Sequence, residues 1–254
     1  MTVPARACRA TGLLRGGSVP GRHTTSNFVQ KVLARFAARF IVRDMKLNWI
    51  RNLTALTLVA SGLALHAQTE DGFVSLMDGK SFDGWKTAEE NTDTWKLEDG
   101  VFVAHGEKCH LFYIGDGKTF KNFHLKVEVM TEPNSNGGIY FHTKYQAKDW
   151  PRGGFECQVN NTHSDWKKTG SLYDVVNIAN SAAQDRKWWT QEIIVKGNNV
   201  TVIIDGKKQF DYTEPAGAQA GTFERKLGEG TFALQGHDPK STIRYRNIRV
   251  KRLD

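Results

Sequence analysis

Glu156 and Gln158 stand two residues apart in Gly154-Phe-Glu-Cys-Gln-Val159, where they alternate with the apolar Phe155, Cys157 and Val159. Successive side chains of an extended chain point to opposite faces, so the carboxylate and the amide share one face and the apolar set takes the core. A carboxylate beside an amide can exchange a proton and hold hydroxyl groups, which is the chemistry of a carbohydrate site. Alone, such a pair is more often an ordinary solvated strand face. Two further segments shift that balance. In Gly138-Ile-Tyr-Phe-His142, the inward Ile139 and Phe141 leave Tyr140 and His142 on the polar face. In Leu234-Gln-Gly-His237 the same alternation joins Gln235 to His237, with Gly236 as a place where a bulge would disturb the phase. Trp150 and Trp166, in segments rich in Gly, Asn and charge, are candidates to stack on a pyranose ring, their alternative being core packing. Of the adjacent Trp188 and Trp189, one ring must turn inward.

Other chemistries lack their residues. The eight histidines show no His-x-Glu-x-x-His spacing or Cys/His pairing, so no metal site or cofactor is expected, and His105, His110 and His124 read as surface residues. No Gly-x-Ser-x-Gly elbow occurs, and Gly79-Lys80 lacks the phosphate-loop pattern.

The elements that must position these groups are strands. Trp95-Lys-Leu-Glu98 and Val101-Phe-Val-Ala104 flank Asp99-Gly100, a dipeptide suited to the positive φ angles of a two-residue hairpin. Residues 191–196, 200–204 and 207–210 form a meander through Gly197-Asn198-Asn199 and Asp205-Gly206. Residues 123–130, 138–142, 154–159, 231–235 and 243–250 alternate with two distinguishable faces. Short strands of this kind, with almost no helical periodicity, predict an all-β jelly-roll sandwich of two antiparallel sheets with the polar site on an exposed, concave face.

Not all 254 residues belong to that fold. From Met45 the chain carries Lys46 and Arg51, an uncharged apolar run from Leu53 to Leu65, and a small residue at Ala67, which is the order of a secretory signal peptide. The run is short for a membrane anchor, and the residue directly after Ala67 is Gln68 rather than a cysteine for lipidation. Residues 1–44, with eight Arg or Lys and one acid, resemble a transit peptide in composition, but a signal peptide directly behind them makes a mis-assigned upstream start the simpler explanation. The expected domain is therefore 68–254, exported to a periplasm or the exterior. Ten of the 35 basic residues and one of the 27 acids lie up to Ala67, so a formal charge of +8 falls to 25 bases against 26 acids in the domain. A near-neutral surface has little affinity for phosphate backbones or anionic membranes, and a neutral carbohydrate is the expected partner. Cys109 and Cys157 would be free to pair in an oxidising compartment.

Asn136-Gly137-Gly138-Ile139-Tyr140-Phe141, Gly154-Phe155-Glu156-Cys157-Gln158, Gly170-Ser171-Leu172-Tyr173, the opening around Asp78-Gly79 to Trp85, and Leu234 to Ile248 together resemble the 3-keto-disaccharide hydrolase family, over nearly all of residues 71–253. The resemblance implies a concanavalin-like sandwich, export, and a substrate whose sugar ring carries a ketone at C3. Sandwiches of the laminarinase type cleave glycosides with Glu-x-Asp-x-Glu on one strand face, whereas this chain has Glu156-Cys157-Gln158-Val159-Asn160. Only one carboxylate of the pair used by ordinary glycosidases is present on that strand. A C3 ketone opens another route, because it acidifies the C2 proton and permits elimination of the C1 leaving group followed by hydration. On that expectation Glu156 or His142 removes the proton, His237 assists the leaving oxygen, and Tyr140, Gln158 and Gln235 hold hydroxyls or the enolate, with Tyr173 and Arg244 as further contacts. The rival readings are a lectin-like carbohydrate-binding module without turnover, and an interaction sandwich with no pocket.

Overall fold

The computed structural model describes residues 70 and 72–253 apart from 222; the segments expected to be an upstream mis-start, 1–44, and a signal peptide, 45–67, lie outside the described residues. Among the described residues there is no α-helix, only a short 3-10 turn at Thr92–Thr94 and thirteen strands. In chain order these are β1 (Val74–Ser75), β2 (Trp85–Thr87), β3 (Trp95–Glu98), β4 (Val101–His105), β5 (Cys109–Tyr113), β6 (Phe123–Thr131), β7 (Gly137–Thr143), β8 (Phe155–Val159), β9 (Trp189–Lys196), β10 (Asn199–Ile204), β11 (Lys207–Thr213), β12 (Thr231–Gly236) and β13 (Thr242–Arg252). The hairpin at Asp99-Gly100 and the 189–213 meander lie where the alternation and turn residues placed them. Asp99 and Gly100 take φ of 48° and 80°, as a two-residue hairpin turn demands.

The strands form two antiparallel sheets. One runs β11-β10-β9-β6-β13-β4-β3, with β1 beside the distal half of β13; the other runs β2-β5-β12-β7-β8. The expected all-β sandwich is thus the observed architecture. Its core lies between the sheets. On β6, buried Phe123, Leu125, Val127 and Val129 alternate with half-buried His124, Lys126, Glu128 and Met130, so one face meets the core and the other meets water.

The second sheet departs from that pattern. Every residue of β7 and β8 is buried, so the face carrying Tyr140, Glu156 and Gln158 is not the solvated surface that alternation predicts. Residues of the 144–154, 160–188 and 214–230 segments close over it. The outer edge of β8 is covered as well: Gln158 N donates to Ser171 O and Tyr173 N to Glu156 O, each at 2.9 Å.

The irregularity expected at Gly236 occurs elsewhere. Gly236 pairs in register with Cys109, whereas the β12–β7 ladder slips between Thr231 and Phe232, which oppose Thr143 and Phe141. His142 is the extra residue of this bulge, with φ of 59°. Cys109 and Cys157 are free and buried on β5 and β8, with β12 and β7 between them. Burial pushes their thiols up to about 11 and about 12 respectively, so both stay protonated and unreactive at neutral pH.

Candidate functional site

The covered face of the second sheet leaves a cleft of about 270 Å³ with Glu156 in its floor. Tyr140 sits opposite Glu156 across the β7–β8 ladder, and its hydroxyl donates to Glu156 Oε2 at 2.9 Å. Gln235 approaches from β12, donating through Nε2 to Glu156 Oε1 at 3.0 Å and to the Tyr140 hydroxyl at 2.9 Å. Arg225, from the 214–230 segment, brings its guanidinium to 3.6 Å from Glu156 Oε2. Gln158 faces the Asn136 amide at 3.1 Å, and in the orientation that satisfies both its polar atoms its Nε2 meets Gly137 O at 3.0 Å and Glu156 Oε1 at 3.2 Å.

Burial pushes the Glu156 carboxyl above its usual value, against the opposing pull of Arg225, Tyr140 and Gln235. The Tyr140 phenol is held well above its usual value, first by burial and then by the carboxylate beside it, so it stays a hydrogen-bond donor. A carboxyl group raised above its usual value in this way is suited to proton transfer.

His237 lines the same cleft just beyond β12. Its Nδ1 lies 2.9 Å from Asp238 Oδ2. A carboxylate can only accept, so Nδ1 carries the proton and Nε2 is left to face a ligand. Asp238 is held below its usual value: burial opposes ionisation, and hydrogen bonds from Ser241, His237 and Lys240 N outweigh it. The Trp150 ring lies 5.4 Å from the His237 ring and 5.4 Å from that of His110. Its loop is tied by Gln146 Nε2 donating to Trp150 O at 3.1 Å and by Thr143 Oγ1 donating to Arg152 O at 2.7 Å. Tyr173 lines the cleft too, donating its hydroxyl to Asp165 at 3.0 Å beneath the Lys167 ammonium. Asp174, beside it, is more than half exposed and forms an ion pair with Lys167 at 2.6 Å.

The tertiary structure thus brings together Glu156, Gln158, Tyr140, Gln235, His237, Tyr173 and Trp150, and separates three other candidates from them. His142 does not share the face of Tyr140, because the bulge at its own position turns it away. Its Nε2 meets Lys121 O at 2.9 Å, its Nδ1 accepts from Gly228 N at 3.2 Å, and its ring packs on Phe123 and Phe141. Burial lowers its pKa, so it is a neutral packing residue with both nitrogens engaged. Arg244 sits on β13 in the other sheet, donating to Glu132 at 3.0 Å. Trp166 is 57% exposed and lies outside the cleft lining.

Sequence reasoning missed Arg225 and His110, as well as Asp238 beside His237 and Phe223 in the cleft lining. Arg225 stands in a segment with no periodicity that could have placed it beside Glu156. His110, read as a surface residue, is fully buried opposite Gln235 in the β5–β12 register. Both its ring nitrogens lack a hydrogen-bond partner, as does Gln235 Oε1, and burial depresses its pKa to about 3, which keeps it neutral. His105 is exposed, and His124 is half-buried against Glu192. Among the described residues no group of three or more His, Cys, Asp or Glu side chains is placed to hold a metal ion.

The family described as a 3-keto-alpha-glucoside-1,2-lyase-like domain matches residues 72–251. A 3-keto-disaccharide hydrolase from Bacteroides thetaiotaomicron is 25% identical, over 83% of this chain and 88% of the relative. Among solved structures, a candidate glycosyl hydrolase from Parabacteroides distasonis superimposes with a TM-score of 0.62 at 24% identity, covering 72% of this chain and 94% of that one. A second from the same organism gives 0.56 at 22%, covering 71% and 99%. At these identities the two structures speak for the fold alone.

Gly138 makes the floor possible. A Cβ there would lie 2.5 Å from Glu156 Oε1 and 2.9 Å from its Cγ. Gly138→Ala is therefore expected to displace the carboxylate from Tyr140 and Gln235, with ligand affinity falling more than about tenfold while far-UV circular dichroism keeps its all-β form. Unchanged binding by calorimetry would mean that Glu156 need not hold this position.

Proposed function

The chain belongs to the 3-keto-alpha-glucoside-1,2-lyase-like domain family, and from that premise we propose that it cleaves the glycosidic bond of 3-keto-glycosides, including 3-keto-disaccharides, at the Glu156 cleft by elimination and hydration. One observation carries the reading: a single buried carboxyl group, raised in pKa, ringed by Tyr140 and Gln235 as donors and by the Arg225 cation. Glu156 accepts the C2 proton of the bound sugar, whose acidity comes from the adjacent ketone. The electron pair left on C2 delocalises onto the C3 oxygen, and Arg225 supplies positive charge for that enolate. Collapse of the enolate forms the C1–C2 double bond and expels the C1 oxygen, which takes a proton from the His237 imidazolium. Water then adds across that bond, hydroxyl to C1 and proton to C2, giving the free 3-keto sugar. Asp238 orients the His237 ring through its contact with Nδ1.

Ordinary displacement would need a second carboxyl group as acid or nucleophile. Asp174 is the other carboxylate lining the cleft, but it is more than half exposed and is engaged by the Lys167 ammonium at 2.6 Å, away from the buried floor.

Glu156→Gln is expected to lower kcat on a 3-keto-glucoside by at least about 100-fold with the fold intact by circular dichroism, whereas Asp174→Asn stays within about tenfold. Equal losses in the two variants would favour paired-carboxylate hydrolysis instead, and binding without turnover by the parent protein would favour a lectin-like module.

A base must be deprotonated to act, and Glu156 is raised, so kcat/KM should fall with decreasing pH through a limb above the ordinary carboxylate range. Arg225→Gln removes the largest influence opposing burial and should move that limb to higher pH. A limb that stays in place would remove Glu156 as the base.

We also infer export, from the charged, apolar and small-residue order of residues 45–67. The protein recovered from the periplasm or medium of an expressing bacterium should begin at or near Gln68 by N-terminal sequencing. Recovery of the uncleaved chain from the cytosol would contradict this.

A further inference from the structure

The chemistry assigned to Glu156 leaves one part of the cleft unused. Its floor is polar and buried, but its mouth carries the half-buried Trp150 and the exposed Phe223, and its lining includes the buried Pro151. Phe223 is among the few large apolar side chains of the described residues left in water, 39% exposed. It is held in place nonetheless. Gly153 N donates to Phe223 O at 3.0 Å, Glu224 pairs with Arg152 at 3.6 Å, and the Arg225 guanidinium lies 5.5 Å from the Phe223 ring centre. The main-chain bond ties Phe223 to the loop that carries Trp150 and Pro151. The mouth is therefore an apolar rim above a polar floor, and an exposed aromatic fixed at the lip of a cleft is a common place for a ligand's flat face.

Geometry decides which part of the ligand that is. On the reading that cleavage occurs at Glu156, on which this inference rests, C1, C2 and C3 of the sugar must reach the floor. A 3-keto-glucoside carries one large substituent, the leaving group at C1, and with the ring in the floor that group extends to the mouth. We propose that Trp150, Pro151 and Phe223 form a leaving-group subsite that takes flat aromatic aglycones, so that glycosides of phenols bind in preference to alkyl glycosides. Phe223 is the specificity-determining residue of that subsite, since Trp150 already packs against His110 and His237.

The test compares phenyl and methyl 3-keto-glucoside, titrated calorimetrically into Glu156→Gln protein with and without Phe223→Ala or Phe223→Trp. The Glu156→Gln form should bind the phenyl glycoside about tenfold more tightly than the methyl. Phe223→Ala should bring that ratio to within about twofold, and Phe223→Trp should restore it. A ratio near one in the Glu156→Gln form, or one that Phe223→Ala leaves unchanged, overturns the subsite. If the alanine variant fails to fold by circular dichroism, Phe223→Leu serves the same comparison, since it keeps apolar bulk and loses the flat face. Failure of the cleavage reading is seen separately, as absence of phenol release by protein with Glu156 intact, and does not enter the binding ratio.

Discussion

A carboxylate taken out of water is costly unless other groups replace its hydration, and the second sheet is organised around that requirement at Glu156. The replacements come from three distant parts of the chain: Tyr140 on β7, Gln235 on β12 and Arg225 on the 214–230 segment. Each has to be delivered by the fold, so the carboxyl group is buried only when the sheet and the covering segments have both assembled. The solvation is also incomplete. Its pKa is raised because burial outweighs the donors and the cation, which is the condition a proton-transfer group needs and a structural ion pair does not.

The same burial explains features that look unrelated. Gly138 opposes Gln158 on the ladder, and any side chain there would strike Glu156, so the Asn136-Gly137-Gly138 run makes room for the carboxyl group. The covering segments that exclude water also supply the walls: Trp150 and Pro151 from one, Tyr173 and Asp174 from a second, Phe223 and Arg225 from a third. A jelly-roll face open to solvent would have left Glu156 an ordinary surface acid. His110 and Gln235 Oε1, buried side by side without hydrogen-bond partners, are unsatisfied polar groups of the kind that cores exclude and ligand sites retain.

The bulge at His142 separates two histidines that the sequence treats alike. His237 and His142 each stand two residues beyond a polar residue of the site, Gln235 and Tyr140. His237 continues past the end of its strand and reaches the cleft, where Asp238 fixes its tautomer. His142 takes a left-handed backbone, leaves the alternation, and spends both nitrogens on Lys121 O and Gly228 N. One histidine is thus available for chemistry and the other closes a main-chain gap.

Much was legible in the residues themselves. Alternation is a local property of the extended chain, so the strands, the hairpin turns and the common face of Glu156, Gln158, Tyr140 and Gln235 follow from composition and spacing alone. Setting aside the basic residues 1–67 leaves 25 bases against 26 acids, and only one carboxylate stands on the Glu156 strand. What sequence could not carry was depth and long-range proximity. Alternation tells which face a residue takes but not whether loops will cover that face, so Glu156 was expected in water and lies buried. A bulge at a non-glycine residue has no sequence signal, so His142 was placed on the wrong side. Arg225 and Phe223 sit on an aperiodic segment whose position depends on contacts with the 151–154 loop, contacts that exist only after the chain has folded.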